Sequence, residues 1–86
     1  MINEYLDWAA LNKIRTLMLE VIPEIKAEDV KKETILEDIC FDTFGMDLLR
    51  PKLEDSFNIL LSDYVLKSFK TVADIVAYVR KHSSTL

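Results

Sequence analysis

One glycine and two prolines punctuate 86 residues, and that scarcity constrains the fold more than any motif does. A many-stranded sheet needs tight turns at short intervals, and Gly and Pro supply the backbone angles that such turns require. Leu, Lys, Glu and Ala are plentiful instead, the residues that lose least on entering a helix. With 50% hydrophobic residues the chain can bury a core, while its length leaves no room for two. It reads as one all-α domain over residues 1–86.

Charge narrows the possible partners. A formal net charge of −4 and a pI near 4.9 count against binding to a phosphate backbone, which calls for a basic footprint. No apolar run approaches the roughly 18 residues of a membrane span. The opening segment "MINEYLDWAAL" carries Glu4 and Asp7 where a secretion signal would be positive. The expectation is a cytoplasmic monomer with no nucleic-acid partner and no membrane span. Cys40 is the single cysteine, so no disulfide can form within the chain, which fits a reducing compartment.

Hydrophobic periodicity supplies the elements. From Asn3, a candidate N-cap, to about Ile22, apolar positions Leu11, Ile14, Met18, Val21 and Ile25 recur at three- and four-residue steps, a helical stripe. Pro23 should end that helix near Val21 or Ile22, because the residue before proline is pushed out of the α region. The segment "EIKAEDVKKETILEDICFD" has no long periodicity and reads as a linking loop pinned by Ile25, Val30, Ile35, Leu36 and Ile39. A second helix should start near Asp42 or Thr43 and carry Phe44, Leu48, Leu49, Leu53 and Phe57, with Phe44 in the core. Gly45 and Pro51 oppose it, at about 1 and 3 kcal/mol relative to alanine, so a kink or break is expected at residues 47–51. A short piece around residues 64–67 follows. Thr71 should then cap a last helix whose face is Val72, Ile75, Val76 and Val79, leaving "HSSTL" as a frayed tail. Tyr5 and Trp8 are expected to staple the first helix to the bundle.

The residues from Glu37 to Phe44 run Glu-Asp-Ile-Cys-Phe-Asp-Thr-Phe. This resembles, without a gap, the Glu-Asp-Leu-Gly-x-Asp-Ser-Leu that leads into the second helix of acyl carrier proteins. The register continues: "LEDSF" is similar to that family's Leu-Glu-Glu-x-Phe, and "KTVADIVAYVRKH" to its Thr-Val-x-x-x-Val-x-Tyr-Ile ending. The resemblance covers roughly residues 10–82. It implies a three- to four-helix bundle with a long loop between helices one and two. It also implies a protein of lipid, fatty acid or secondary-metabolite biosynthesis that is not itself an enzyme.

In that family a serine hydroxyl attacks the pyrophosphate of coenzyme A, assisted by a separate phosphopantetheinyl transferase, and gains a phosphopantetheine arm whose thiol holds acyl groups. The resemblance puts Thr43 at that attachment position, between Asp42 and Phe44. Threonine keeps the hydroxyl but makes it secondary, and its methyl crowds the approach to phosphorus and restricts χ1, so attack should be slower. Thr is also nearly as good an N-cap as Ser, so two roles stay open: an attachment point, or a cap in a carrier-like docking body that is never loaded.

The family's acyl-transfer and synthase partners dock on acidic residues of helix two. Asp47, Glu54 and Asp55, with Leu48, are the docking candidates here, while Gly45 and Leu48 replace acids and Arg50, Pro51 and Lys52 interrupt the rest. No catalytic or metal site is expected. His82 is the only histidine, and the acidic pairs Glu28–Asp29 and Glu37–Asp38 lack a neighbouring nucleophile.

Overall fold

The computed structural model describes residues 4–39 and 41–83. Four helices follow one another: α1 (Glu4–Val21), α2 (Thr43–Phe57), α3 (Asp63–Ser68) and α4 (Val72–His82). Two 3-10 turns, Ala27–Asp29 and Leu36–Ile39, lie in the connection between α1 and α2. The only β feature among the described residues is an isolated antiparallel bridge between Ile35 and Thr71. The all-α bundle with its long first loop is therefore the observed fold. Asn3 and Cys40 lie outside the described residues.

α1 stops two residues before Pro23, and the N–H of Ile22 still donates to the Met18 carbonyl at 2.9 Å. Its buried face is Ala10, Ile14, Leu17 and Met18, while Leu11 and Val21 flank it half-buried. The face thus shares Ile14 and Met18 with the expected stripe and is turned by a fraction of a residue toward Ala10 and Leu17. Tyr5 and Trp8 fall outside it, 73% and 61% exposed, with ring centroids 6.1 Å apart. They stack on each other and do not staple α1 to the bundle.

The connection between α1 and α2 is irregular but anchored. The Arg15 guanidinium donates to the Val30 carbonyl from Nε (3.1 Å) and Nη2 (2.7 Å), holding the fully buried Val30 against the core. Further on, backbone bonds stitch the loop to the start of α4: Leu36 N–H to Lys70 O, Val72 N–H to Thr34 O and Ala73 N–H to Lys32 O, all 2.8–3.0 Å. Neighbouring residues of an extended segment point to opposite sides. With Leu36 inside, Ile35 turns outward at 48% exposure, and does not pin the loop as expected.

α2 runs unbroken from Thr43 to Phe57 with Pro51 inside it, so the expected break does not occur. Proline removes one helical hydrogen bond, to the Asp47 carbonyl, but Asp47 and Pro51 both lie on the exposed side, where water can serve that oxygen. On the opposite side Met46, Leu49, Leu53 and Phe57 are buried, each such side chain contributing roughly 1.5–3 kcal/mol on burial. That packing outweighs the local cost of proline. Phe44 stands two residues, or about 200°, from Met46 around the helix, and is consequently 72% exposed, not in the core. Asn58 ends α2 in the left-handed region at φ 54°, where asparagine is tolerated.

α4 has the expected apolar face, with Val72, Ile75, Val76 and Val79 all buried, and it packs against α1. Asp7 of α1 bridges Lys32 in the loop (3.2 Å) and Arg80 of α4. His82 belongs to α4 with its ring 4.1 Å from that of Tyr78, and the Ser83 hydroxyl donates to the Phe57 carbonyl at 2.7 Å. The start of the expected frayed tail is therefore held, and residues 84–86 lie outside the description.

Candidate functional site

Phe41 and Asp42 determine where Thr43 stands. Phe41 is buried, with its N–H on the Leu36 carbonyl at 2.9 Å, which anchors the chain just before α2. Asp42 is the N-cap: its Oδ1 accepts from the Gly45 N–H at 3.3 Å while its carbonyl accepts from Met46 at 2.9 Å. Thr43 is therefore the first residue inside α2, exposed to solvent. Its hydroxyl makes no hydrogen bond among the described residues. The capping role open to it in the sequence belongs to its neighbour.

Beside Thr43 lies a cleft of about 180 Å³ between the start of α2 and the end of α3. Leu36, Phe41, Met46, Leu66 and Phe69, all buried, form its floor. Thr43 shares its lining with Glu37, Asp42 and Asp47 and with Lys67 and Lys70; the segment of Glu37 runs beside that of Lys70, through the bond from Leu36 N–H to the Lys70 carbonyl. The cleft collects residues from three separate segments, and no local pattern in the sequence announces it.

The docking candidates divide by geometry. Asp47, Leu48 and Asp55 are exposed and, with Phe44 and Pro51, line the outward side of α2 at helical spacing. Glu54 is turned inward: its Oε2 accepts from the Leu61 N–H at 2.8 Å, fastening the connection between α2 and α3. Gly45 is buried and so belongs to no docking surface. The two cations that seemed to interrupt the acidic face are drawn off it. Arg50 pairs with Asp63 at 2.5 Å and donates to the Leu61 carbonyl at 3.2 Å, and Lys52 pairs with Glu20 of α1 at 3.0 Å. What remains outward is an apolar ridge bordered by aspartates.

Four helices in this order, with a hydroxyl at the start of the second, define a helical bundle of the carrier class. The comparisons with known proteins make the assignment specific. The chain is 36% identical over 72 residues to an acyl carrier protein of Phytoplasma australiense, covering 84% of this chain and 95% of that one. It is 34% identical over 71 residues to an acyl carrier protein of Phytoplasma mali, covering 81% and 83%. Against the meromycolate extension acyl carrier protein of Mycolicibacterium aurum the identity is 26% over 77 residues, covering 85% and 79%. No protein-family model matches the chain. The chain belongs to the acyl carrier protein family.

Proposed function

We propose that this chain is a carrier module of acyl-chain biosynthesis, that Thr43 Oγ1 is its point of attachment for a phosphopantetheine arm, and that the outward side of α2 receives the partner enzymes. The observation that carries this reading is the idle hydroxyl. A β-branched residue in a helix costs a few tenths of a kcal/mol relative to alanine, and at position 43 no hydrogen bond among the described residues offsets that. An exposed hydroxyl with no hydrogen bond among the described residues fits a chemical use.

The surroundings fit a phosphodiester. The N–H groups of Thr43 and Phe44, in the first turn of α2, have no acceptor among the described residues, and such groups favour a phosphate oxygen. Loading would form a bond between Thr43 Oγ1 and the phosphorus that bears the pantetheine in coenzyme A. The hydroxyl gives up its proton and the bond to the nucleotide phosphate breaks. When bound, the arm supplies a thiol that holds an acyl group as a thioester. The chain's own part is to hold the hydroxyl outward on a rigid helix start and to present Phe44, Leu48, Asp47 and Asp55 to the enzyme that works on it. None of the described helices is long and apolar enough to cross a membrane.

Incubation with coenzyme A and a broad-specificity phosphopantetheinyl transferase tests the reading by intact mass. The methyl of Thr43 should leave the wild-type chain mostly unmodified at a transferase dose that fully loads Thr43→Ser, and let it gain one phosphopantetheine at higher dose or longer incubation; a wild-type chain that never loads overturns the reading. If Thr43→Ser fails to load, the reading gives way to its alternative, a docking body that carries nothing.

A further inference from the structure

A phosphodiester on Thr43 would add negative charge to a rim that already holds Glu37, Asp42 and Asp47. Like charges at such spacing repel unless a cation stands among them. Of the 11 Lys and Arg residues in the sequence, only Lys67 and Lys70 line this cleft among the described residues. The others are committed elsewhere or lie elsewhere. Lys32, Arg50, Lys52 and Arg80 are in ion pairs, Arg15 is spent on the Val30 carbonyl, and Lys13, Lys26, Lys31 and Lys81 are not part of the cleft. Neither Lys67 nor Lys70 has an ion-pair partner among the described residues. Their ammonium groups are available, and they line the same cleft as Thr43 and the three carboxylates.

We infer that Lys67 and Lys70 are the phosphate-positioning residues of this site, holding the phosphate of a phosphopantetheine-type ligand in the cleft they share with Thr43. This rests on the reading of Thr43 as the arm-bearing position, yet it concerns different residues. Placement follows from local structure. Lys67 is in the last turn of α3, where a cation also suits the helix dipole. Lys70 follows Phe69, whose buried ring forms part of the cleft floor, and its N–H is fixed on Asp74 Oδ2 at 2.8 Å. The chain thereby sets two flexible cationic stems on a fixed edge, with apolar floor beneath for the uncharged part of the ligand.

The experiment uses the unmodified full chain and free 4′-phosphopantetheine, followed by backbone amide shifts at low salt. Because the probe is not attached, a chain whose Thr43 never loads still gives this test an answer. Expected are shifts at residues 43, 67, 69 and 70, and an affinity that falls about fivefold in K67Q/K70Q, the scale of two exposed ion pairs. Pantetheine lacking the phosphate should bind the wild type about as weakly as phosphopantetheine binds that variant, and the charge-matched control K13Q/K81Q should bind like wild type. Equal affinity of wild type and K67Q/K70Q overturns the inference, as does a loss of the same size in the control. Absence of any shift at residues 67 and 70 at saturating probe overturns it too.

Discussion

α2 and α4 are built to different standards. α4 opens on a reciprocal capping box, in which Thr71 Oγ1 accepts from the Asp74 N–H at 3.3 Å and Asp74 Oδ2 accepts from the Thr71 N–H at 3.0 Å. It carries four buried apolar residues and closes on Arg80 and Lys81, cations that suit its C-terminal end. α2 has a one-sided cap, no acid within its first turn, and a proline in its interior. Each helix begins near a threonine. That of α4 is spent on structure, whereas the hydroxyl of the one in α2 makes no hydrogen bond among the described residues. Reciprocal local devices secure α4, whereas α2, with weaker caps and an interior proline, depends more on tertiary packing.

Several substitutions would break or sharpen that contrast. The largest effect should come from Pro51→Ala, which restores a hydrogen bond within α2 and removes a ring clash. It should raise stability by about 1–3 kcal/mol after allowing for the looser unfolded chain, read as a higher thermal midpoint. No rise would mean that α2 already accommodates proline without loss, and the two helices would differ less than their sequences do. Thr71→Ala should cost about 1 kcal/mol, or roughly 4–8 °C for a domain of this size.

Acid titration probes the same box. The N–H groups of Lys70 and Thr71 on its carboxylate hold Asp74 below the ordinary 3.8, against a smaller opposing effect of burial. A depressed native pKa gives stability that is present above the unfolded value and lost as pH falls through the native one. Asp74→Asn should therefore weaken the protein at neutral pH and flatten its loss of stability below about pH 4. Asp7, held low first by Lys32 and then by Arg80 against a burial penalty, adds to the acid sensitivity that remains. The smallest effect should be that of Thr43→Ala, within about 0.5 kcal/mol of wild type. Losses of equal size at Thr43 and Thr71 in calorimetry would erase the contrast between the two helix starts.

The same contrast governs how much was readable in advance. α4 was legible because its 3.6-residue period and its capping residues agree. For α2 the sequence offers two apolar stripes, one through Phe44 and Leu48 and one through Met46, Leu49 and Leu53, and periodicity alone does not say which faces inward. Phe44 was misassigned for that reason. Pro51 misled because its cost is local, whereas Leu49, Leu53 and Phe57 act through contacts that only the fold creates. Asp42 and Thr43 are adjacent and both good caps, so the cap could not be allotted from composition. Arg50, Lys52 and Glu54 find their partners 13, 32 and 7 residues away, beyond the reach of any motif. The register around Thr43 was visible in the residues themselves; the cleft and its two lysines were not.

The exposed position of Trp8 has a practical consequence for the measurements above. It is the single tryptophan, 61% exposed on the outer side of α1 beside Tyr5. Its indole is already in contact with water in the native state, so its emission should be red-shifted from the outset and change little when the core comes apart. A denaturation curve followed by tryptophan fluorescence would record the loosening of the first turns of α1. Far-ultraviolet circular dichroism, which sums over all four helices, is the signal that follows the bundle.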